Sequence, residues 1–181
     1  ERETWELAYH LSPEHRALFD DVLAYVRGQV QDTSGTRVQQ RIRWWSALSL
    51  LRAMASSPAA AASTLSIRAA SVEADTEQTA DAASAASILD QIEDDSLDSA
   101  DATPGSLPHK EKKGSKEGRL LESFRNRATN LAEDPASDAK LTLLTKQVKA
   151  LLKDGYDPIV FVRFIPTAHY VGDHLRTALR N

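Results

Sequence analysis

With 181 residues and a formal net charge of −4, the chain is long enough for one domain with a buried core. Its apolar share is 41%, much of it alanine, and aromatics make up only 6%, so core positions should be few. The absence of cysteine excludes a disulfide scaffold and cysteine-based zinc sites and fits a cytoplasmic protein, while no signal peptide and no apolar run of membrane-spanning length is present.

The chain opens at Glu1 without an initiator methionine, which reads as a processed chain or a piece of a larger one. Trp5, Leu7 and Tyr9 alternate in TWELAYHL, as in a short edge strand or an extended lead-in. Ser12-Pro13-Glu14 then has the signature of a helix start: a capping hydroxyl, proline in the first turn and an acid near the positive dipole end. The helix that follows carries Leu18, Phe19, Val22, Leu23, Val26 and Val30 on one stripe. After a break at 31–35, RVQQRIRWWSALSLLRAMA predicts a second helix with a stripe of Val38, Ile42, Trp45, Leu48 and Leu51 and with Trp44 beside it. Ser57-Pro58 ends it and caps an alanine-rich third helix to about Ala70. These three helices are expected to pack on one another.

Between 71 and 114 the composition turns to Ala, Ser, Asp, Thr and Glu, which cannot bury enough surface to offset the entropy of ordering. A long, disordered or weakly ordered acidic linker is expected there, with a short helix at 82–92 as its one candidate element. Charge is sharply segregated: Val72 to His109 holds ten acidic residues and no Lys or Arg, and Lys110 to Arg127 holds seven basic residues against three acidic. GRLLESFRNRATNL restarts a helical stripe at Leu120, Phe124 and Leu131, broken by Pro135. Ser137 or Asp138 should cap the next helix, with Leu141, Leu144, Val148, Leu151 and Leu152 as its apolar face and Gly155 as its stop. PIVFVRF reads as a strand covered on both faces, and Pro166-Thr167 opens a last helix, with Thr167 as its expected cap.

None of the common phosphate-loop, dinucleotide, nucleophile-elbow or zinc-protease patterns occurs, and GSKEG at Gly114 has the wrong spacing for a phosphate cradle. The close histidine pairs, His10/His15 and His169/His174, are five apart, which does not align two side chains on one helix face. No metal site is expected, and Glu93-Asp94-Asp95 reads as solvated linker rather than a carboxylate metal motif. The basic stretch with Lys110, Lys112 and Lys113 has two readings, phosphate contact or a solubilising loop. Trp44-Trp45 also has two, a stacking platform for bases or core packing, and its place against the helical stripe favours packing.

Three stretches in order resemble the Swi/Snf-type branch of superfamily-two helicases, which are DNA-dependent ATPases. WELAYHLSPEHRALFDDVLAYV is similar to the region after the first RecA-like lobe. LSLLRAMASSP is similar to the Leu-Arg-…-His-Pro block that ends a helix of the inter-lobe protrusion, with Ser57 in place of the family's frequent histidine. DAKLTLLTKQVKALLKDGYDPIVFVRFIPTAHYVGDHL resembles the opening of the second RecA-like lobe, with its motif IV strand and following helix. The resemblance covers Trp5 to about Ala60 and Asp138 to Leu179. It implies a fragment that holds the middle of a helicase-like ATP-dependent DNA translocase, with no ATPase activity alone and no catalytic residue of its own. ATP and magnesium would be held by the parent protein, which would also bring double-stranded DNA and the remaining RecA-like lobes in cis. The DNA-backbone candidates are Arg163, Thr167 and His169 in the loop and helix after the strand, the Ala168 amide as helper, and Lys110, Lys112 and Lys113.

The expected fold is mainly α: a helical bundle with one C-terminal strand–helix unit, a partial RecA-like α/β lobe. Residues 1–70 form the first protrusion, 71–114 the acidic linker, 115–155 a further helical segment and 156–181 the first strand and helix of the second lobe. A strand cut from its sheet exposes its edges, so a dimer through it, sensitive to Val160→Lys, would be an artefact. The alternative to the motor fragment is a free-standing helical interaction module docking partners through leucine-rich stripes; a small metal-dependent hydrolase is a third reading.

Overall fold

The computed structural model describes residues 4–34, 37–73 and 116–180. Among these the protein is mainly helical, with six α-helices and no strand. They are α1 (Pro13–Gln31), α2 (Arg37–Ser56), α3 (Pro58–Glu73), α4 (Lys116–Glu133), α5 (Ala139–Lys153) and α6 (Ile165–Ala178), with a short 3-10 turn at Pro135–Ser137. The acidic linker, the candidate helix at 82–92 and the cluster Glu93-Asp94-Asp95 lie outside the described residues.

Local chemistry sets most helix ends. Ser12 Oγ accepts the His15 N–H at 3.3 Å, with Pro13 in the first turn of α1. Ser57 Oγ accepts the Ala60 N–H at 3.1 Å, so a single residue separates α2 from α3. Of the two cap candidates for α5 the structure selects Asp138, whose Oδ1 accepts the Leu141 N–H at 3.1 Å. At the far end of α5, Gly155 at φ +85° lets its own N–H reach the Leu152 carbonyl (3.1 Å) while the Tyr156 N–H reaches Leu151 (3.0 Å). This pair of bonds closes the helix, and the left-handed turn is one that L side chains resist.

One core joins α1 to α4. Leu18, Val22 and Val26 of α1 meet Ala47, Leu50 and Met54 of α2, Ala61, Leu65 and Ala69 of α3, and Leu121, Phe124, Ala128 and Leu131 of α4. The α3–α4 contact is the most extensive, because the small face of α3 admits close approach of the leucines and Phe124. Tyr25 meets Phe124 edge to face, with ring centroids 6.1 Å apart. At one end of this core Glu117 accepts from the Tyr25 hydroxyl and from Gln29 Nε2 (2.9 Å). The buried Arg68 donates to the Ser46 carbonyl, and burial lowers its pKa to about 10 despite the nearby Glu117.

Two apolar faces differ from the sequence reading. In α2 the buried side chains are Ala47, Leu50, Ala53 and Met54, whereas Trp44, Trp45 and Leu48 are 63%, 38% and 37% exposed. The tight packing against α1 and α3 selects the small face of α2, and the indoles, though more apolar, are turned away from it. In α4 Leu121 is fully buried and Leu120 is exposed, one position off the expected stripe.

The segment 156–164 is a correction to the expected strand. It carries no strand pairing, since no other described segment offers a ladder for its N–H and C=O groups. Exposure alternates only over 158–161, where Pro158 and Val160 are half-buried and Ile159 and Phe161 are 78% and 89% exposed; Val162, at 37%, is exposed too. Helix α6 follows it as expected and packs on α3 and α5, burying Thr167 and Val171.

Candidate functional site

The ends of five helices meet around Ser57: the N-termini of α1, α3, α5 and α6 and the C-terminus of α2. Lys140, in the first turn of α5, donates Nζ to the carbonyls of Ala55 and Ser56, both at 3.0 Å, placing a cation on the negative end of α2. The Thr167 hydroxyl lies 2.8 Å from Ser56 Oγ and 2.8 Å from Ser57 Oγ, a buried hydroxyl trio that ties α6 to the α2–α3 junction. Asp138, buried while capping α5, also accepts from the Tyr170 hydroxyl at 3.2 Å. Burial first, and the Asp138 carboxylate second, push the Tyr170 phenol well above its ordinary range.

Beside this junction is a cleft of about 290 Å³, walled by Tyr9, Phe19, Met54 and Pro58 and edged by His15, Asp138 and Lys140. The lead-in at 4–12 is irregular backbone, which brings Tyr9 to the rim rather than forming an edge strand. His15 is buried and its Nδ1 has no hydrogen-bond partner. Burial lowers its pKa from 6.5, Asp138 opposes this, and Lys140 adds to the lowering. The unfolded chain therefore takes up a proton at His15 before the folded protein does, and stability must fall as pH drops below about 6.5. Thermal melts between pH 8 and 5 are expected to show this slope, and His15→Phe to flatten it; an unchanged slope would place the linkage in another group.

Of the candidate phosphate-contacting residues, three lie among the described residues. Arg163 and His169 are exposed, Thr167 is buried, and Lys110, Lys112 and Lys113 lie outside the described residues. Thr167 does not cap α6: Phe164 holds that position and Pro166 fills the first turn, so the threonine is inside the helix with its hydroxyl engaged by the two serines. The Ala168 N–H is bonded to the Phe164 carbonyl at 3.0 Å, and Pro166 has no N–H.

Sequence reasoning missed Asp138 as a tether for Tyr170, and also missed Lys140 and the Ser56–Ser57–Thr167 trio. Only the cap pattern at Asp138 was a signal; the other contacts join residues far apart in the chain. Among the described residues no group of three or more His, Asp or Glu is placed to hold a metal ion, and no helix is long and apolar enough to cross a membrane. Comparison of the chain with protein-family models, with curated proteins and with solved structures gives no match.

Proposed function

We propose that this chain is the middle part of a helicase-like, ATP-dependent DNA translocase of Swi/Snf type, in which α1 to α4 brace the motor and 156–178 begin its second RecA-like lobe. The observation that carries the reading is the state of residues 156–164. In this apolar, non-helical run Pro158 and Val160 are half-buried, while Ile159 and Phe161 are bare. Such a run has the character of a sheet strand whose neighbours belong to another part of the protein.

A second feature agrees with it. The block ending at Ser57-Pro58 and the helix after the extended run, which resemble separate landmarks of that family, are joined directly through Ser56, Ser57 and Thr167. Movement of a lobe built on α6 would be felt at the α2–α3 junction through this contact. In this reading ATP and magnesium are bound by the lobes outside the chain, and the role of these residues is to couple and to brace.

The test is enzymatic. The 181-residue chain should show no ATP turnover, and the protein carrying the flanking lobes should hydrolyse ATP faster with duplex DNA than without it. A lobe-containing protein indifferent to DNA would refute the proposal.

A further inference from the structure

The exposed face of α2 is unlike the rest of the surface. Buried Ser46, Ala47, Leu50, Ala53 and Met54 define its inner side. At 100° per residue, positions 37, 41, 44, 45 and 48 fall on the opposite side. On this face Arg37, the adjacent Trp44 and Trp45, and Leu48 are all exposed. From Thr33 to Val72 the chain has five arginines and no aspartate or glutamate. Two of these arginines have internal duties: Arg68 is buried on the Ser46 carbonyl, and Arg43 pairs with Asp32 at 3.3 Å. The Arg43 pairing also neutralises the acid that borders this face.

We infer that the Arg37–Trp44–Trp45 face of α2 binds single-stranded DNA, with bases stacked on the indoles and phosphates beside the arginines. Charge complementarity selects an anionic partner, since among the described residues of this face Arg37 is a cation and none is an acid. Exposed π-surface next to cations selects a partner with planar groups and phosphates along one strand. A second copy of the chain fits less well: the two indoles and Leu48 offer roughly 300 Å² of apolar surface, against about 800 Å² per partner in a stable interface. That the strand is DNA rather than RNA rests on the translocase reading above, in which the parent protein acts on DNA.

The experiment uses the 181-residue chain without ATP or any lobe, so it is independent of the ATPase test. Oligothymidylate of fifteen nucleotides is titrated into the protein while tryptophan fluorescence is followed at two salt concentrations. Saturable quenching that weakens with salt is expected. Trp44→Ala should weaken binding by about 5- to 150-fold, the range for losing one stacked base, with an unchanged circular dichroism spectrum. Arg37→Gln should lower affinity and reduce the salt dependence by about one phosphate contact. Absence of quenching, equal binding by the Trp44→Ala variant, or tighter binding of a blunt duplex than of the single strand would each overturn the inference. Preference for oligouridylate over oligothymidylate would overturn the DNA assignment. A dimer in the free protein that Trp44→Ala dissolves would assign the face to a second copy instead, and would equally overturn it.

Discussion

Replacing Asp138 by alanine is expected to cost the folded protein about 2–4 kcal/mol, roughly 5–15 °C in melting temperature. Two losses combine. The first is the cap of α5, where Oδ1 holds the Leu141 N–H at 3.1 Å. The second is the acceptor for the Tyr170 hydroxyl, which is left half-buried without its partner. The control is Tyr170→Phe. Alone it should cost less than the aspartate change, and in the Asp138→Ala background it should cost almost nothing, because the hydroxyl it deletes is by then unsatisfied. Additive costs in this double-mutant cycle would show that Asp138 acts as a cap alone. Tyr170 also makes stability depend on alkaline pH: its folded pKa is raised above 10, so its contribution is present below that value and is lost as pH rises beyond it.

The other large effect depends on which protein carries the change. In the 181-residue chain Phe161→Asp should alter stability by no more than about 0.5 kcal/mol, because the ring is 89% exposed. In a protein that includes the flanking lobes, the same aspartate would be buried without a partner in a sheet, at a cost of several kcal/mol. Its duplex-stimulated ATPase should then fall at least about tenfold, or the protein should fail to accumulate in soluble form. Tolerance of Phe161→Asp in both settings would mean that no sheet forms on this face. Ile159→Asp provides an independent second probe, being 78% exposed on the same side. Val160 is the poorer probe because it is half-buried toward the helices, where a lysine would disturb packing already present.

The positions legible from sequence were those governed by short-range bonds. Ser12, Ser57 and Asp138 each accept an N–H three residues on, and Gly155 supplies a left-handed turn. Such patterns are local and do not depend on the rest of the fold. The face of α2 was not legible, because apolar character alone placed Trp45 and Leu48 inward, whereas the available space favoured Ala47, Leu50 and Ala53. Thr167 was misread for a related reason. A threonine after proline at a helix start resembles a cap, and only the arrival of Ser56 and Ser57 from more than a hundred residues away gives its hydroxyl another partner. The strand expected at 156–164 is not formed: its apolar, β-branched residues suit a strand, but the backbone there is irregular, and pairing would require neighbours that the described residues do not supply.

The way α4 returns to α3 bears on how this chain tolerates change in length. The end of α3 and the start of α4 are neighbours, with Glu117 near Arg68 and bonded to Tyr25 and Gln29, although residues 74–115 separate the two helices in sequence. Topologically the pair is a hairpin whose two arms are joined in sequence by residues 74–115. The entropy of closing a flexible connection grows only with the logarithm of its length, so halving or doubling one shifts stability by about 0.6 kcal/mol. The most extensive helix–helix packing in the fold, α3 on α4, forms once the chain has returned, and it does not depend on how far the chain travelled. A change of length between the two arms is therefore expected to leave the α3–α4 packing in place, which makes the sequence between them the place to try a fluorophore, a tag or an inserted domain.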